Sequence, residues 1–394
     1  MTNLYFFHLH ACYSIFQNFF CAGIQFFIVL NSYKNSIDVY LVDEEYVLFY
    51  FMNTRARKRF RVNETVIKLI EEIDGERTAE ELYNDFSKNH TIPREEFEHF
   101  FDKMIDVKVI IEKLENHVLN DADINRYDRQ ISYFSEFLES ELEAEKAQLK
   151  LKGSSIGIIG CGAVGGDIAI QLAMAGVESF VLMDYDTVEV SDCARHMYYD
   201  RADIGRKKVE VLSDKLKAIN GNIKTYISYA VYTPDTNMDA FLDMSSFVVC
   251  TADEPYLGYT ANLTSQLCVP RNTNHYIAGG FDAHLASTGE LVIPYVTPCA
   301  ACYATYFEHK LKDWKPEKHP VVKRANEIGG LSSMSLFASS FACVEIIKCI
   351  CGLVDIKENY KKRAEFLFDG MELVYLDPER NPNCIVCGGK KREL

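Results

Sequence analysis

The chain has 394 residues, with 42 Lys and Arg against 57 Asp and Glu, a formal net charge of −15. That length fits two domains, and an apolar fraction of 48% supplies a buried core, which excludes a disordered chain. The acidic balance argues against nucleic-acid binding, which needs a net positive surface.

Residues Leu4 to Leu30 are largely apolar and carry no Lys, Arg, Asp or Glu. The stretch has the ~20-residue length of a membrane span. However, Asn3, His8, His10, Gln17, Asn18 and Gln25 flank or interrupt it, and no basic residue precedes it as in a signal peptide. Its Phe, Tyr and Ile suit buried strands. Residues 1–36 therefore read as added core or packing surface, not as a membrane anchor.

From Ile37 to Lys113 the pattern passes from strands to helices. Val39–Val42, Tyr46–Met52 and Lys58–Val62 are rich in β-branched and aromatic residues, with turn material at Asp43–Glu45 and Asn53–Thr54. Asn63 reads as the cap of a helix carrying Val66, Ile67, Leu69, Ile70 and Ile73, which Asp74-Gly75 ends. Thr78-Ala79-Glu80-Glu81 is a capping box for a second helix through Phe86. Pro93 opens a third, with Phe97, Phe100, Phe101, Met104 and Ile105 on its buried side. Val107–Ile111 closes the unit as a strand.

This order, with the phrase Asp74-Gly75-Glu76-Arg77-Thr78, resembles the winged-helix precursor-peptide recognition domains of ribosomally made, modified peptides. The resemblance implies that residues 37–113 bind a leader peptide by strand addition to an open sheet edge. Arg55, Arg57, Lys58, Arg59 and Arg61 place five positive charges on seven residues of an acidic protein, which suits an acidic leader. They equally suit a solvated edge strand protected from aggregation. Residues 114–125 are polar and irregular and read as a linker.

In the next segment, Ile156–Ile159 is a buried-strand run followed directly by Gly160-Cys161-Gly162-Ala163-Val164-Gly165. A helix over Gly166–Ala175 ends at Gly176, and a second strand, Ser179–Met183, leads into Asp184-Tyr185-Asp186. A Gly-x-Gly-x-x-Gly turn between strand and helix lets backbone N–H groups meet a phosphate, so Gly160, Gly162 and Gly165 are candidate nucleotide contacts. The carboxylates of Asp184 and Asp186 stand where a ribose hydroxyl is met. Taken alone, this is the pattern of a dinucleotide-dependent dehydrogenase.

The following run departs from it. Asp184-x-Asp186-x-Val188-x-x-Ser191-Asp192-x-x-Arg195-His196, then Asp203-Ile204-Gly205-x-x-Lys208, resembles the ubiquitin-activating-like (ThiF/MoeB-type) superfamily of ATP-dependent adenylating enzymes. Arg126-Tyr127-Asp128-Arg129-Gln130-Ile131 and Ala252-Asp253-Glu254-Pro255 resemble two further motifs of that family, in the right order. The resemblance implies an α/β fold, with a Rossmann-like ATP-binding adenylation domain over 126–394 behind the small winged-helix domain. It implies that Arg195, Lys208 and Arg129 contact the triphosphate, that Asp253 holds Mg²⁺, and that Asp184 and Asp186 meet the ribose. Arg129 would reach across a homodimer interface. Asp192 stands where the family has Asn and His196 where it has Gln, which alters the polar contacts at that end of the triphosphate.

Thirteen cysteines in so long a chain read as reduced thiols plus a metal site, and hence as a cytoplasmic protein. Cys299-x-x-Cys302 and Cys384-x-x-Cys387 are two knuckles able to converge on one tetrahedral, structural Zn²⁺. No cysteine falls between Tyr303 and Ala342, and Cys343 sits in the apolar helix Leu331–Ile350, so no thioester relay is evident. The charged stretch from Phe307 to Ile328, with His309, Lys310, Lys312 and Lys315, reads as a mobile loop able to contact peptide.

A recognition-like domain, zinc knuckles and no relay thiol resemble the peptide-modifying branch, which includes the enzymes of microcin C and pantocin A biosynthesis. The resemblance implies a precursor-peptide partner and activation of a Glu side chain as an acyl-adenylate for intramolecular cyclisation, as in antibiotic biosynthesis. Alternatives are peptide AMP transfer of the microcin C type, adenylation of a sulfur-carrier protein, and a non-catalytic partner that presents leaders.

Overall fold

The computed structural model describes residues 30–34, 36–43, 45–113, 117–313, 329–355 and 362–389. The chain divides between residues 115 and 116 into two units.

The first unit begins with β1 (Leu30–Tyr33), β2 (Ile37–Val42), β3 (Tyr46–Phe51) and β4 (Ala56–Arg61). It continues with α1 (Glu64–Glu71), α2 (Ala79–Asn89), α3 (Arg94–Asp106) and β5 (Ile110–Lys113). Strands β2, β3 and β4 form an antiparallel meander with β3 in the middle. Period-two alternation buries Val47, Phe49 and Phe51 of β3 in one core with Leu69, Leu82, Phe86, Phe97 and Phe101 of the helices. The caps form as read: Asn63 Oδ1 accepts the Val66 N–H at 2.9 Å, and Thr78 and Glu81 bond reciprocally. Gly75, with φ of 76°, takes the left-handed turn after α1.

Two expectations are corrected here. The closing strand runs over Ile110–Lys113 and not Val107–Ile111, since Val107 caps the end of α3, and it pairs with β1, Leu30 to Tyr33 against Lys113 to Ile110. The end of segment 1–36 is thus a strand of the first unit, while residues 1–29 lie outside the described residues. Ile105 is 38% exposed, because the apolar face of α3 runs through Phe97, Phe101 and Met104 instead.

The second unit opens with α4 (Asp121–Phe134) and α5 (Glu141–Lys152). The expected linker 114–125 is therefore partly helical. Asn120 caps α4 by accepting the Asp123 N–H, and Glu145 of α5 takes both the His117 ring and the Val118 N–H. Polar residues read as solvated linker are caps and bonded partners.

Next come β6 (Ser155–Ile159), α6 (Ala163–Met174), β7 (Ser179–Met183), α7 (Lys208–Ile219), β8 (Lys224–Ser228), α8 (Asp239–Asp243) and β9 (Phe247–Cys250). Then follow α9 (Leu257–Cys268), β10 (Asn274–Ile277), β11 (Leu285–Ser287), β12 (Glu290–Val292), α10 (Ala300–Lys310), α11 (Ser332–Cys351), β13 (Ala364–Leu367) and β14 (Glu372–Tyr375). The main sheet runs β12-β10-β9-β6-β7-β8, parallel except for β12, and β11-β13-β14 form a small antiparallel sheet. Ile156, Ile158, Phe180, Leu182, Phe247 and Val249 enter one core. Ile159, Val181, Met183, Val248 and Cys250 enter another on the opposite face. Both faces are covered, which is why these strands read as continuous apolar runs.

Among the described residues, one helix, α11, is long and apolar enough to cross a membrane. It packs along α6, with Ala342, Cys343, Ile346 and Ile350 in the core. The expected mobile loop is corrected at its start, since Phe307 to Lys310 belong to α10. His309 and Lys310 sit in its last turn, where the helix dipole favours cations. Lys312 follows in a turn, and residues 314–328, Lys315 included, lie outside the described residues.

Candidate nucleotide site and metal centre

The chain leaves β6 for α6 and β7 on one side, and returns to β9 on the other. The β6–β9 boundary is therefore a topological switch point, and ligands bind at the carboxyl ends of such strands. The Gly160 turn, Asp184 and Asp253 all stand at that edge, directly after β6, β7 and β9.

The turn requires its glycines. Gly160 has φ of 90°, and a Cβ there would lie 2.8 Å from the Ala252 nitrogen. A Cβ on Gly165 would stand 2.0 Å from the Gly160 carbonyl oxygen. Gly162 caps α6 without a side-chain bond, and a Cβ there would meet open space. The first N–H groups of α6 are thus presented outward.

Side chains brace the turn from several directions. Asp184 Oδ2 accepts the Cys161 N–H at 2.7 Å and Oδ1 the Asp186 N–H at 2.8 Å. Thr251 Oγ1 donates to the Gly160 carbonyl at 2.7 Å. The Tyr198 hydroxyl donates to the Cys161 carbonyl at 3.1 Å, and that of Tyr199 to the same carbonyl at 3.3 Å. A Cβ on Gly166 would overlap the Tyr198 hydroxyl, so this extra glycine makes room for the brace. Sequence reading missed Thr251, Tyr198 and Tyr199; their position beside recognised motifs was the available signal.

Beside the turn lies a charged cluster. Lys208, the first residue of α7, holds its Nζ 3.2 Å from Asp186 and 3.7 Å from Asp192. Burial alone would lower its ammonium, and Asp186, Asp192 and Asp184 outweigh this and hold it above its ordinary value. Arg195 donates to Asp192 Oδ1 at 3.1 Å. His196 is buried, and burial pushes its pKa down to about 4, so its imidazole is neutral. With Nδ1 donating to the Asp192 carbonyl at 3.0 Å, Nε2 is the acceptor, buried without a partner among the described residues.

Across the crevice, desolvation and then the Glu254 carboxylate raise the Asp253 carboxyl, with Lys208 pulling it back and Asp186 adding to the rise. The Tyr185 hydroxyl donates to Glu254 Oε2 at 2.5 Å, tying the end of β7 to the turn after β9. The structure thus gathers Gly160, Gly162, Gly165, Asp184, Asp186, Lys208, Arg195 and Asp253 at one edge. Arg129 is not in this group: its side chain on α4 is 97% exposed and its ion pair is with Asp128. Helix N–H groups, two cations and a set of carboxylates can take a polyphosphate together with a divalent cation.

The second centre is built from the two knuckles. The Cys299, Cys302, Cys384 and Cys387 sulfurs lie within 4.8 Å of one another. Cys299–Cys384 is 3.6 Å and Cys302–Cys387 is 3.5 Å. A tetrahedral Zn–S bond of about 2.3 Å implies sulfur–sulfur edges of about 3.8 Å, so the quartet fits. The Asn381 N–H points at Cys302 Sγ and the Val386 N–H at Cys384 Sγ, each at 3.4 Å, as suits thiolates that need donors. Outside this quartet the described thiols are buried except Cys193.

The ThiF family matches residues 127–386, so the chain belongs to that family. It is 27% identical over 319 residues to the adenylyltransferase and sulfurtransferase MOCS3 of Aedes aegypti, covering 80% of this chain and 66% of that protein. To MOCS3 of Dictyostelium discoideum it is again 27% identical, with 70% and 60% covered. The chain therefore spans somewhat less than two thirds of these relatives. Its fold is similar to E. coli MccB solved with ATP, with a TM-score of 0.66, 20% identity, and 91% of this chain and all of that one covered. It is similar to PaaA with a TM-score of 0.68, 18% identity, and 88% and 100% covered.

Proposed function

We propose that this protein uses ATP to activate a carboxyl group, a Glu side chain, of a ribosomally made precursor peptide, and that the acyl-adenylate is consumed by intramolecular cyclisation. A carboxylate oxygen attacks the α-phosphorus, the bond to the β-phosphate breaks, and pyrophosphate leaves. Two anions must be brought together, so positioning and charge neutralisation are the task and no protein nucleophile is needed. In this reading the α6 N-terminus, Arg195 and Lys208 bind the triphosphate, Asp184 and Asp186 orient the ribose, and Asp253 holds Mg²⁺. Bound there, Mg²⁺ would neutralise phosphate charge. Arg129, exposed in its own chain, would serve the site of a homodimer partner. The four knuckle thiolates would hold a structural Zn²⁺ that fixes residues 384–387 to α10.

One observation carries the peptide reading. Similarity to MccB extends over 91% of this chain, beyond the ThiF match at 127–386, and so takes in residues ahead of the adenylation domain. MccB has been solved with its precursor peptide MccA. In this reading residues 37–113 are a leader-binding winged-helix domain, with the cationic β4 edge as the docking strand. The test is incubation of the protein with ATP, Mg²⁺ and the precursor peptide encoded beside it, followed by mass spectrometry. Loss of one water supports cyclisation, and gain of one AMP supports transfer of the microcin C type. Modification of a sulfur-carrier protein instead would favour the reading that the MOCS3 relatives suggest. Pyrophosphate release with none of these products would sink all three.

A further inference from the structure

We propose that the Asp192 carboxylate sets the strength of triphosphate binding, by holding Arg195 and Lys208 until a nucleotide displaces it from them. The inference rests on the adenylation reading above and names a residue that tunes the same site.

Asp192 is 2% exposed and lies in the short helical turn Val190–Ala194. Its Oδ1 accepts from Arg195 Nη2 at 3.1 Å. Its Oδ2 accepts the Glu189 N–H at 2.9 Å and lies 3.7 Å from Lys208 Nζ. Burial opposes ionisation of this carboxyl. The Glu189 N–H, Lys208 and Arg195 outweigh burial and hold it below the usual carboxylate range, so it is an anion at neutral pH.

The two cations are therefore already paired with an anion of the protein. Triphosphate oxygens must compete with Asp192 for the same N–H donors, and the displaced carboxylate cannot leave, because its backbone is fixed: the Arg195 and His196 N–H groups both bond to the Asp192 carbonyl. The negative charge stays beside the incoming phosphates and repels them. The same repulsion acts on pyrophosphate after reaction, so Asp192 trades nucleotide affinity for product release. An amide of the same size could still accept the Glu189 N–H through its oxygen, but would carry no charge against the phosphates.

The test compares the full chain with Asp192→Asn by titration calorimetry. The probes are pyrophosphate, an ATP analogue with a methylene between the α- and β-phosphates, both with Mg²⁺, and adenosine. The variant should bind pyrophosphate and the analogue roughly tenfold or more tightly, the scale of a hydrogen bond to a charged group, with adenosine binding unchanged. A merely structural, capping role predicts the opposite sign, with equal or weaker phosphate binding. That result in folded protein overturns the proposal. Asp192→Ser, which keeps a capping oxygen without charge, is the second variant and carries the same expectation. Failure of both to fold would assign Asp192 to the fold and overturn the proposal. If the unaltered protein binds neither phosphate probe, the adenylation reading itself falls, an outcome distinct from unaltered protein that binds and variants that bind no tighter.

Discussion

The Cys299 and Cys384 sulfurs lie 3.6 Å apart across 85 residues of chain. Bringing such distant thiols together orders a long loop, and four bare thiols do not repay that ordering. A bound zinc would, since structural zinc contributes binding free energy directly to folding. One zinc per chain is the expected metal analysis. A strong chelator, or Cys384→Ser with Cys387→Ser, should lower the melting temperature by many degrees. A metal-free protein with an unchanged melting temperature would remove the zinc reading.

The glycine turn separates stability from binding. Gly165→Ala places a methyl 2.0 Å from the Gly160 oxygen, and neither backbone can yield cheaply. It should lose several kcal/mol of stability, the range of severe core overpacking. Gly162→Ala meets nothing within 4 Å and has φ of −74°, so it should fold normally. Its methyl would instead stand at the α6 N-terminus and raise the KM for ATP. Equal melting temperatures for the two variants would contradict this.

In the proposed reading Lys208, with a side chain 12% exposed, bears charge on the phosphates. Lys208→Met should reduce ATP–pyrophosphate exchange by about 100-fold or more, as removal of a preorganised electrostatic contact does. Exchange within a few-fold of the unaltered protein would exclude Lys208 from the phosphate site.

Asp167 on α6 is 3% exposed, and its carboxyl bonds Ser335 Oγ of α11 at 3.5 Å. Burial pushes its pKa up to about 7, the Ser335 hydroxyl pulling slightly the other way. The unfolded chain ionises this group near pH 4 (roughly its ordinary value). From there to about pH 7 the folded state holds a proton that the unfolded state has lost, so stability falls as pH rises and the loss is complete above that. Asp167→Asn should therefore be more stable than the unaltered protein at pH 8, by a few kcal/mol, and similar at pH 4. Denaturant curves at the two pH values measure this, and an equal offset at both would refute it.

On β4, Arg57 lies over the Tyr50 ring at 5.7 Å and Arg59 over the Tyr46 ring at 3.9 Å. Arg57→Glu with Arg59→Glu should weaken binding of an acidic precursor peptide at least tenfold while leaving ATP-analogue affinity unchanged. Added salt should weaken the unaltered complex and spare the variant. Salt-insensitive binding would argue for contacts of another kind.

Much of the second unit was legible in the sequence. Ser179–Met183 is a strand with the expected limits, because a strand buried on both faces carries an unbroken apolar run. The two Cys-x-x-Cys spacings marked the four thiols that the structure brings together. Pairings between distant segments were not legible: nothing at Leu30 announces that it lies opposite Lys113. Tyr198 and Tyr199 were likewise hidden, since their partner is a backbone carbonyl, and every residue has one. His196 was noted only as a departure from a family pattern, and its neutral, buried ring depends on packing against Tyr199 at 4.7 Å.

Strand β4 pairs with β3 on one side and, among the described residues, with no strand on the other. An open edge attracts any extended backbone, including that of another copy of the same protein. A second copy docking edge to edge would bring its own Arg57, Lys58, Arg59 and Arg61 against this row, like charge facing like. An acidic strand meets no such repulsion. In the proposed reading the same side chains would act as a sorting rule in a crowded solution, turning away self-pairing that seeds aggregates while leaving the edge to a chain of opposite charge.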